Sequence, residues 1–178
     1  DLHLCDRRQR QMCIRDSAYT IDYADLYRKG YRGVIFDIDN TLVPHGAPAT
    51  KEAAAFFASL RETGFSTCLL SNNQKPRVAP FADAVGSIYI ENAHKPSVKN
   101  YQEACRRMGI KEEQAVFVGD QLFTDVYGAK RTGLYNILTE PINPKEEIQI
   151  VLKRYLEHIV LFFYERDLAR GRITKKNS

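Results

Sequence analysis

Short apolar runs recur along the chain, and between them apolar residues return every three or four positions. Val34-Ile35-Phe36 is apolar without alternation, the pattern of a strand covered on both faces. Further strands are predicted over residues 66–70, 87–90, 115–118 and 134–138. Helices are predicted over 21–30, 51–62, 76–84, 97–108 and 125–131, and a long one from 146 to about 169. Their ends carry punctuation: Thr50 can cap the second helix, and Gly30, Gly64 and Gly133 stand where helices should stop. Five strands alternating with helices specify an α/β fold, a doubly wound parallel sheet. Residues 1–16 show neither period. The string from Gln11 to Ser17 resembles a translated sequencing-adapter fragment, so 1–16 is read as non-native or as a disordered arm. The domain then runs over 17–164, with a basic tail over 165–178.

Composition narrows the class without changing this picture. Of 178 residues, 44% are hydrophobic and 27% charged, which suits one globular domain and excludes collagen-like, disulfide-scaffold and disordered readings. The net charge is +4, of which +3 sits in residues 165–178, leaving the domain near neutral and unlike a nucleic-acid binder. Cys5, Cys13, Cys68 and Cys105 show no metal-site spacing, and reduced thiols are expected. No apolar run approaches the ~20 residues of a membrane span. No secretory signal is visible, so a cytoplasmic protein is expected.

In doubly wound sheets, ligands bind beyond the carboxyl ends of the strands. The first strand runs into Asp37-Ile38-Asp39-Asn40-Thr41, the second into Ser71-Asn72-Asn73, and the third is followed by His94-Lys95-Pro96. The fourth runs into Gly119-Asp120, with Asp125 five residues on. Three acids on one edge repel one another unless a cation joins them. An all-oxygen donor set suits Mg²⁺, which also binds substrate phosphate. A hydroxyl, an amide and an ammonium from Ser71, Asn72 and Lys95 suit an anionic oxygen cluster. Together these read as phosphate chemistry at a magnesium site.

The order Asp-x-Asp-x-Thr, Ser-Asn, Lys-Pro and Gly-Asp-x-x-x-x-Asp resembles the motifs of the haloacid dehalogenase (HAD) phosphatases, each at its strand end. The heptad Asp37 to Val43, the Ser-Asn-Asn triplet and the His-Lys-Pro triplet resemble the YqeG-type class IIIA members, a group related to phosphatidylglycerophosphate phosphatases. The resemblance implies Asp37 as nucleophile and Asp39 as general acid and base, whose backbone carbonyl also reaches the metal. It implies Asp120 as a further metal ligand, with Asp125 orienting Asp120 or Lys95. Asp37 would also bind the metal; Thr41, Ser71 and Asn72 would bind the phosphoryl group, Thr41 also holding Asp39 and the nucleophile loop, and Lys95 would bind the phosphoryl group and neutralise its charge. His94 is weighed as a substrate contact, His45 less so.

No cap domain fits: about a dozen residues separate Asp39 from the helix at Lys51, and 23 lie between Ser71 and Lys95. An open site favours substrates that bring their own bulk, and the resemblance implies phosphatidylglycerophosphate. Ile148, Leu152, Tyr155, Ile159 and Phe163 form a stripe beside the basic tail, an arrangement suited to peripheral contact with anionic lipid at the inner membrane face. A soluble or macromolecular phosphomonoester is the alternative substrate. A receiver-like phospho-acceptor module shares the fold but carries its acceptor after the third strand, which here ends in Glu91-Asn92.

Overall fold

The computed structural model describes residues 13–144. Contacts divide the chain after Ile142, and the sheet lies in the first unit. The strands are β1 (Cys13–Arg15), β2 (Gly33–Phe36), β3 (Ser66–Leu70), β4 (Ile88–Ile90), β5 (Ala115–Gly119) and β6 (Tyr135–Thr139). The helices are α1 (Tyr23–Arg28), α2 (Lys51–Thr63), α3 (Lys75–Val85), α4 (Val98–Met108) and α5 (Tyr127–Thr132). All six strands are parallel, in the order β1-β6-β5-β2-β3-β4. The chain moves outward from β2 to β4, then crosses to β5 and works outward again. The switch point of this doubly wound sheet therefore lies between β2 and β5.

Alternate residues of the central strands feed two cores. Val34, Phe36, Leu69, Val116 and Val118 pack with Leu26 of α1, Phe57 of α2 and Phe81 of α3. Ile35, Cys68, Leu70 and Phe117 face the opposite way, onto Tyr101 and Cys105 of α4 and Ala129 of α5. Burial on both faces is why these strands read as unbroken apolar runs. Thr50 caps α2 as its position suggests, its hydroxyl accepting from the Ala53 amide at 3.0 Å.

Two features differ from the sequence reading. Cys13–Arg15 forms a sixth strand, paired with β6. It is a three-residue edge strand, and an edge with little buried face imposes no alternation on its residues. The segment read as one helix from 125 begins earlier, as a π turn over Leu122–Val126, before α5 starts at Tyr127. No cap domain is inserted among the described residues, where only α3 separates β3 from β4. The final helix and the tail lie outside the described residues.

Candidate active site

The nucleophile loop begins where β2 ends. The Asp37 amide still bonds to the Val118 carbonyl at 3.0 Å, so this residue extends the central ladder. The chain then turns sharply. Asn40 adopts φ +61°, a left-handed conformation that asparagine tolerates better than most residues. Its amide closes the turn on the Val43 carbonyl at 2.7 Å. Asp37, Asp39, Thr41, Ser71, Lys95, Asp120 and Asp125 are all buried, an unusual density of polar groups for one sheet edge.

Lys95 lies at the centre. Its ammonium donates to Asp37 Oδ1 and lies 2.7 Å from Asp125 Oδ1. Burial alone would lower the lysine, but the charges of Asp125 and Asp37 hold it well above its ordinary range. Burial raises Asp37 to about 7; Lys95 pulls it down, and Asp125 and Asp39 push it up.

Asp37, Asp120 and Asp125 each offer a carboxylate oxygen, all within 4.8 Å of one another. The donors are hard oxygens and their negative charge exceeds that of Lys95. The residues therefore fit a small divalent cation such as Mg²⁺. Gly119 makes room for this arrangement: a Cβ there would meet Asp125 Oδ2 at 2.5 Å. The Gln121 amide holds that same oxygen at 3.2 Å.

Asp39 faces a different set of partners. Its Oδ1 accepts from Arg77 Nη2 at 2.8 Å and from the Gly46 amide at 2.9 Å, while Oδ2 accepts from Asn73 Nδ2. Burial would raise this carboxyl, but Arg77 and the Gly46 amide outweigh it and hold it below its ordinary value. The Asp39 carboxylate thus has partners of its own and is not one of the three acids that converge. Gly46 and Arg77 also line a cleft of ≈ 330 Å³ with Pro48, Ala49, Pro76 and Phe81.

Several assignments shift in detail. Thr41 does not hold Asp39; its hydroxyl donates at 3.1 Å to Oδ1 of Asp120, the residue that follows β5. Asn72 clamps a backbone: its Oδ1 accepts from the Lys95 amide at 2.7 Å and its Nδ2 reaches the Lys95 carbonyl at 3.5 Å. Ser71 Oγ accepts from the Asn73 amide at 3.1 Å, which tightens the turn after β3. Asp125 contacts Lys95, one of its two expected partners. His94 is exposed, and His45 Nδ1 lies 3.9 Å from Asp39 Oδ2. Arg77 and Asn73 are the residues that sequence reasoning missed. A signal existed for Arg77: a cation in the first turn of α3 opposes the helix dipole and calls for a carboxylate partner.

A doubly wound sheet that gathers these four segments at its switch point defines a hydrolase of the phosphatase class. Residues 46–133 match the model of the haloacid dehalogenase-like hydrolases. The chain is 35% identical over 142 residues to a Bacillus subtilis protein named "Probable phosphatase YqeG", covering 79% of this chain and 83% of that one. The chain belongs to the haloacid dehalogenase-like hydrolase family, among its YqeG-like phosphatases. It is also 29% identical over 168 residues to the chloroplastic/mitochondrial phosphatidylglycerophosphate phosphatase 1 of Arabidopsis thaliana. That match covers 89% of this chain but only 47% of the Arabidopsis protein. Among solved structures, an uncharacterized Corynebacterium glutamicum protein is similar in fold, with TM-score 0.52 and 22% identity, covering 68% of this chain and 93% of that one. A hypothetical Xanthomonas campestris protein gives TM-score 0.53 at 17% identity, covering 73% and 76%.

Proposed function

We propose that the protein is a Mg²⁺-dependent phosphomonoester hydrolase that acts through an aspartyl-phosphate on Asp37. The observation that carries the reading is the separation of two carboxylates only two residues apart. Asp37 is buried among Lys95, Asp120 and Asp125, whereas Asp39 is held by Arg77, Asn73 and Gly46. One carboxylate is thereby set beside the Lys95 ammonium and two acids that together fit a cation, where a phosphoryl group would be attacked. The other is set beside the cleft, where a leaving alcohol has room.

In this mechanism Asp37 Oδ attacks phosphorus, and the bond to the ester oxygen breaks. Asp39, protonated once the entering substrate draws Arg77 off its carboxylate, delivers that proton to the oxygen, then takes a proton from the water that attacks the aspartyl-phosphate. Lys95 offsets charge on the phosphoryl oxygens, and Ser71 at the end of β3 supplies a hydroxyl to them. Mg²⁺, held by Asp37, Asp120 and the Asp39 carbonyl, would supply charge neutralisation and alignment of the phosphate. Asp125 and Thr41 hold Lys95 and Asp120 in place.

The proposed substrate is phosphatidylglycerophosphate, which makes the enzyme a step of phospholipid biosynthesis. It is supported by the likeness to the Arabidopsis phosphatase and by a site without a cap among the described residues. We take residues 17–164, joined by the edge strand β1 at Cys13–Arg15, as the catalytic domain and 165–178 as a basic tail, working at the cytoplasmic face of a membrane. No helix of the described residues is long and apolar enough to cross one. The test is phosphate release from a panel containing phosphatidylglycerophosphate in detergent and small soluble esters, with Mg²⁺ and with chelator. Preference for the lipid, abolished by chelation, is expected. Turnover of soluble esters alone would overturn the lipid assignment, and full turnover in chelator would remove the metal.

A further inference from the structure

Six large apolar side chains are exposed among the described residues, and their placement is uneven. Ile14 and Ile88 sit in the two edge strands, where exposure is ordinary. The other four follow the carboxyl ends of β5 and β6, on the edge that holds Asp37: Leu122 (48% exposed), Phe123 (78%), Tyr127 (54%) and Ile142 (46%). The Ile142 amide bonds to the Asn40 carbonyl at 2.9 Å, directly on the nucleophile loop.

Leu122, Phe123 and Tyr127 belong to a firmly held element. The Tyr127 amide bonds to the Leu122 carbonyl, the five-residue closure of a π turn, which brings these two residues together along its axis. From below, the Tyr101 hydroxyl donates to the Thr124 carbonyl at 2.8 Å and reaches the Asp125 carbonyl at 3.3 Å. Gly128 permits that approach, since a Cβ there would meet the Tyr101 oxygen at 2.5 Å. The turn anchored this way leaves Leu122 and Phe123 facing solvent.

Along the turn and α5 the exposed charge is of one sign. Lys130 and Arg131 follow Tyr127 by three and four residues, so they share its helix face, and both are exposed. The Arg131 guanidinium carbon lies 5.6 Å from the Tyr127 ring centre. Asp125 is the one acid between Gln121 and Thr132, and it is buried against Lys95. Two apolar tips flanked by an aromatic ring and two cations form the pattern of an interfacial anchor on anionic lipid. Four side chains fall far short of the ~20–30 residues a side of a standard protein interface.

We propose that the ridge Leu122-Phe123-Tyr127, with Lys130 and Arg131, docks the protein on an anionic lipid surface. Leu122 and Phe123 enter the boundary between headgroups and acyl chains, and the two cations face lipid phosphates. The catalytic edge is then turned toward the bilayer, so a lipid-borne phosphomonoester reaches Asp37 without leaving it. The inference rests on the lipid reading of the active site.

The test is flotation of the full-length protein with vesicles of equal parts phosphatidylglycerol and phosphatidylcholine, against pure phosphatidylcholine. Binding to the anionic vesicles, weakened by salt, is expected. It should fall about tenfold in a Leu122→Ser/Phe123→Ser variant and by a similar factor in a Lys130→Ser/Arg131→Ser variant. Both variants should keep wild-type circular dichroism and wild-type turnover of p-nitrophenyl phosphate. Undiminished binding by the ridge variants overturns the proposal, most directly if changing Arg170, Arg172, Lys175 and Lys176 to Ser abolishes it instead. A lipid-free dimer that the Leu122→Ser/Phe123→Ser change dissociates also overturns it, by assigning the ridge to a second copy. No vesicle binding, with detergent-dispersed phosphatidylglycerophosphate still hydrolysed, sinks the docking surface and leaves the substrate assignment standing. Ridge-dependent binding without hydrolysis of that lipid does the reverse.

Discussion

Replacing Thr41 by Val removes one hydroxyl from a buried position and preserves the shape of the side chain. In the structure that hydroxyl donates to Asp120 Oδ1 at 3.1 Å, and both residues are buried. A hydrogen bond to a charged group contributes about 1.5–3 kcal/mol. At about 1.4 kcal/mol per decade this corresponds to roughly 10- to 150-fold in an equilibrium constant. The same range, about 10- to 100-fold in metal affinity, is typical when a group that orients a metal ligand is lost. A Mg²⁺ titration of phosphate release should therefore move its midpoint upward by at least about tenfold in Thr41→Val, with maximal turnover largely recovered at saturating Mg²⁺. Thr41→Ser, which keeps the donor, should lie near wild type. If Thr41 instead binds substrate phosphate, Thr41→Val raises KM at saturating Mg²⁺ and leaves the metal midpoint in place. That result would refute the reasoning, as would equal damage from Val and Ser.

Three further outcomes follow from the same geometry. Asp37→Asn should lower turnover by more than about 100-fold while the protein remains folded, because an amide cannot serve as the nucleophile; residual activity above that level contradicts the covalent step. Asp120→Ala should raise the Mg²⁺ requirement more than Asp125→Ala, whose main loss is the partner of Lys95 at 2.7 Å; the reverse order would mean that the two acids have exchanged roles. In metal-free protein, Asp37 is raised from 3.8 to about 7, so the folded state holds its proton more tightly than the unfolded state does. Its contribution to stability is complete below about pH 4 and is lost as pH rises through about 7. Urea midpoints measured in chelator should fall across that window and flatten in Asp37→Asn; a wild-type midpoint rising toward neutrality would show that Lys95 dominates the pair.

Where the chain is apolar and then abruptly polar, its reading was direct. The runs ending at Phe36, Leu70 and Val118 are too short for helices and read as buried strands, and the groups that follow them reach one edge of a parallel sheet. Thr50 and Gly64 mark the ends of α2 by local chemistry, and the structure places both where that chemistry requires. β1 was illegible because three residues at a sheet edge need no period. The π turn was illegible because its extra residue is set by Tyr101 and Lys95, groups far away in the chain. The pairings of Arg77 with Asp39 and of Thr41 with Asp120 have the same origin. Spacing shows that a polar group arrives at the site, but which neighbour it meets depends on how loops from different strands cross.

The pairing of β2 with β5 has a consequence for how activity is acquired. Gly33 lies opposite Ala115, and the contacts of Thr41 with Asp120 and of Lys95 with Asp37 span 79 and 58 residues. Such long-range parallel pairings form slowly, because a large loop must close before they yield any stability. The two chain halves that supply the carboxylates therefore have no competence alone, and no early folding intermediate can assemble the reacting groups. Recovery of catalysis during refolding should thus trail the recovery of helical signal, making turnover a readout of the last topological event rather than of compactness.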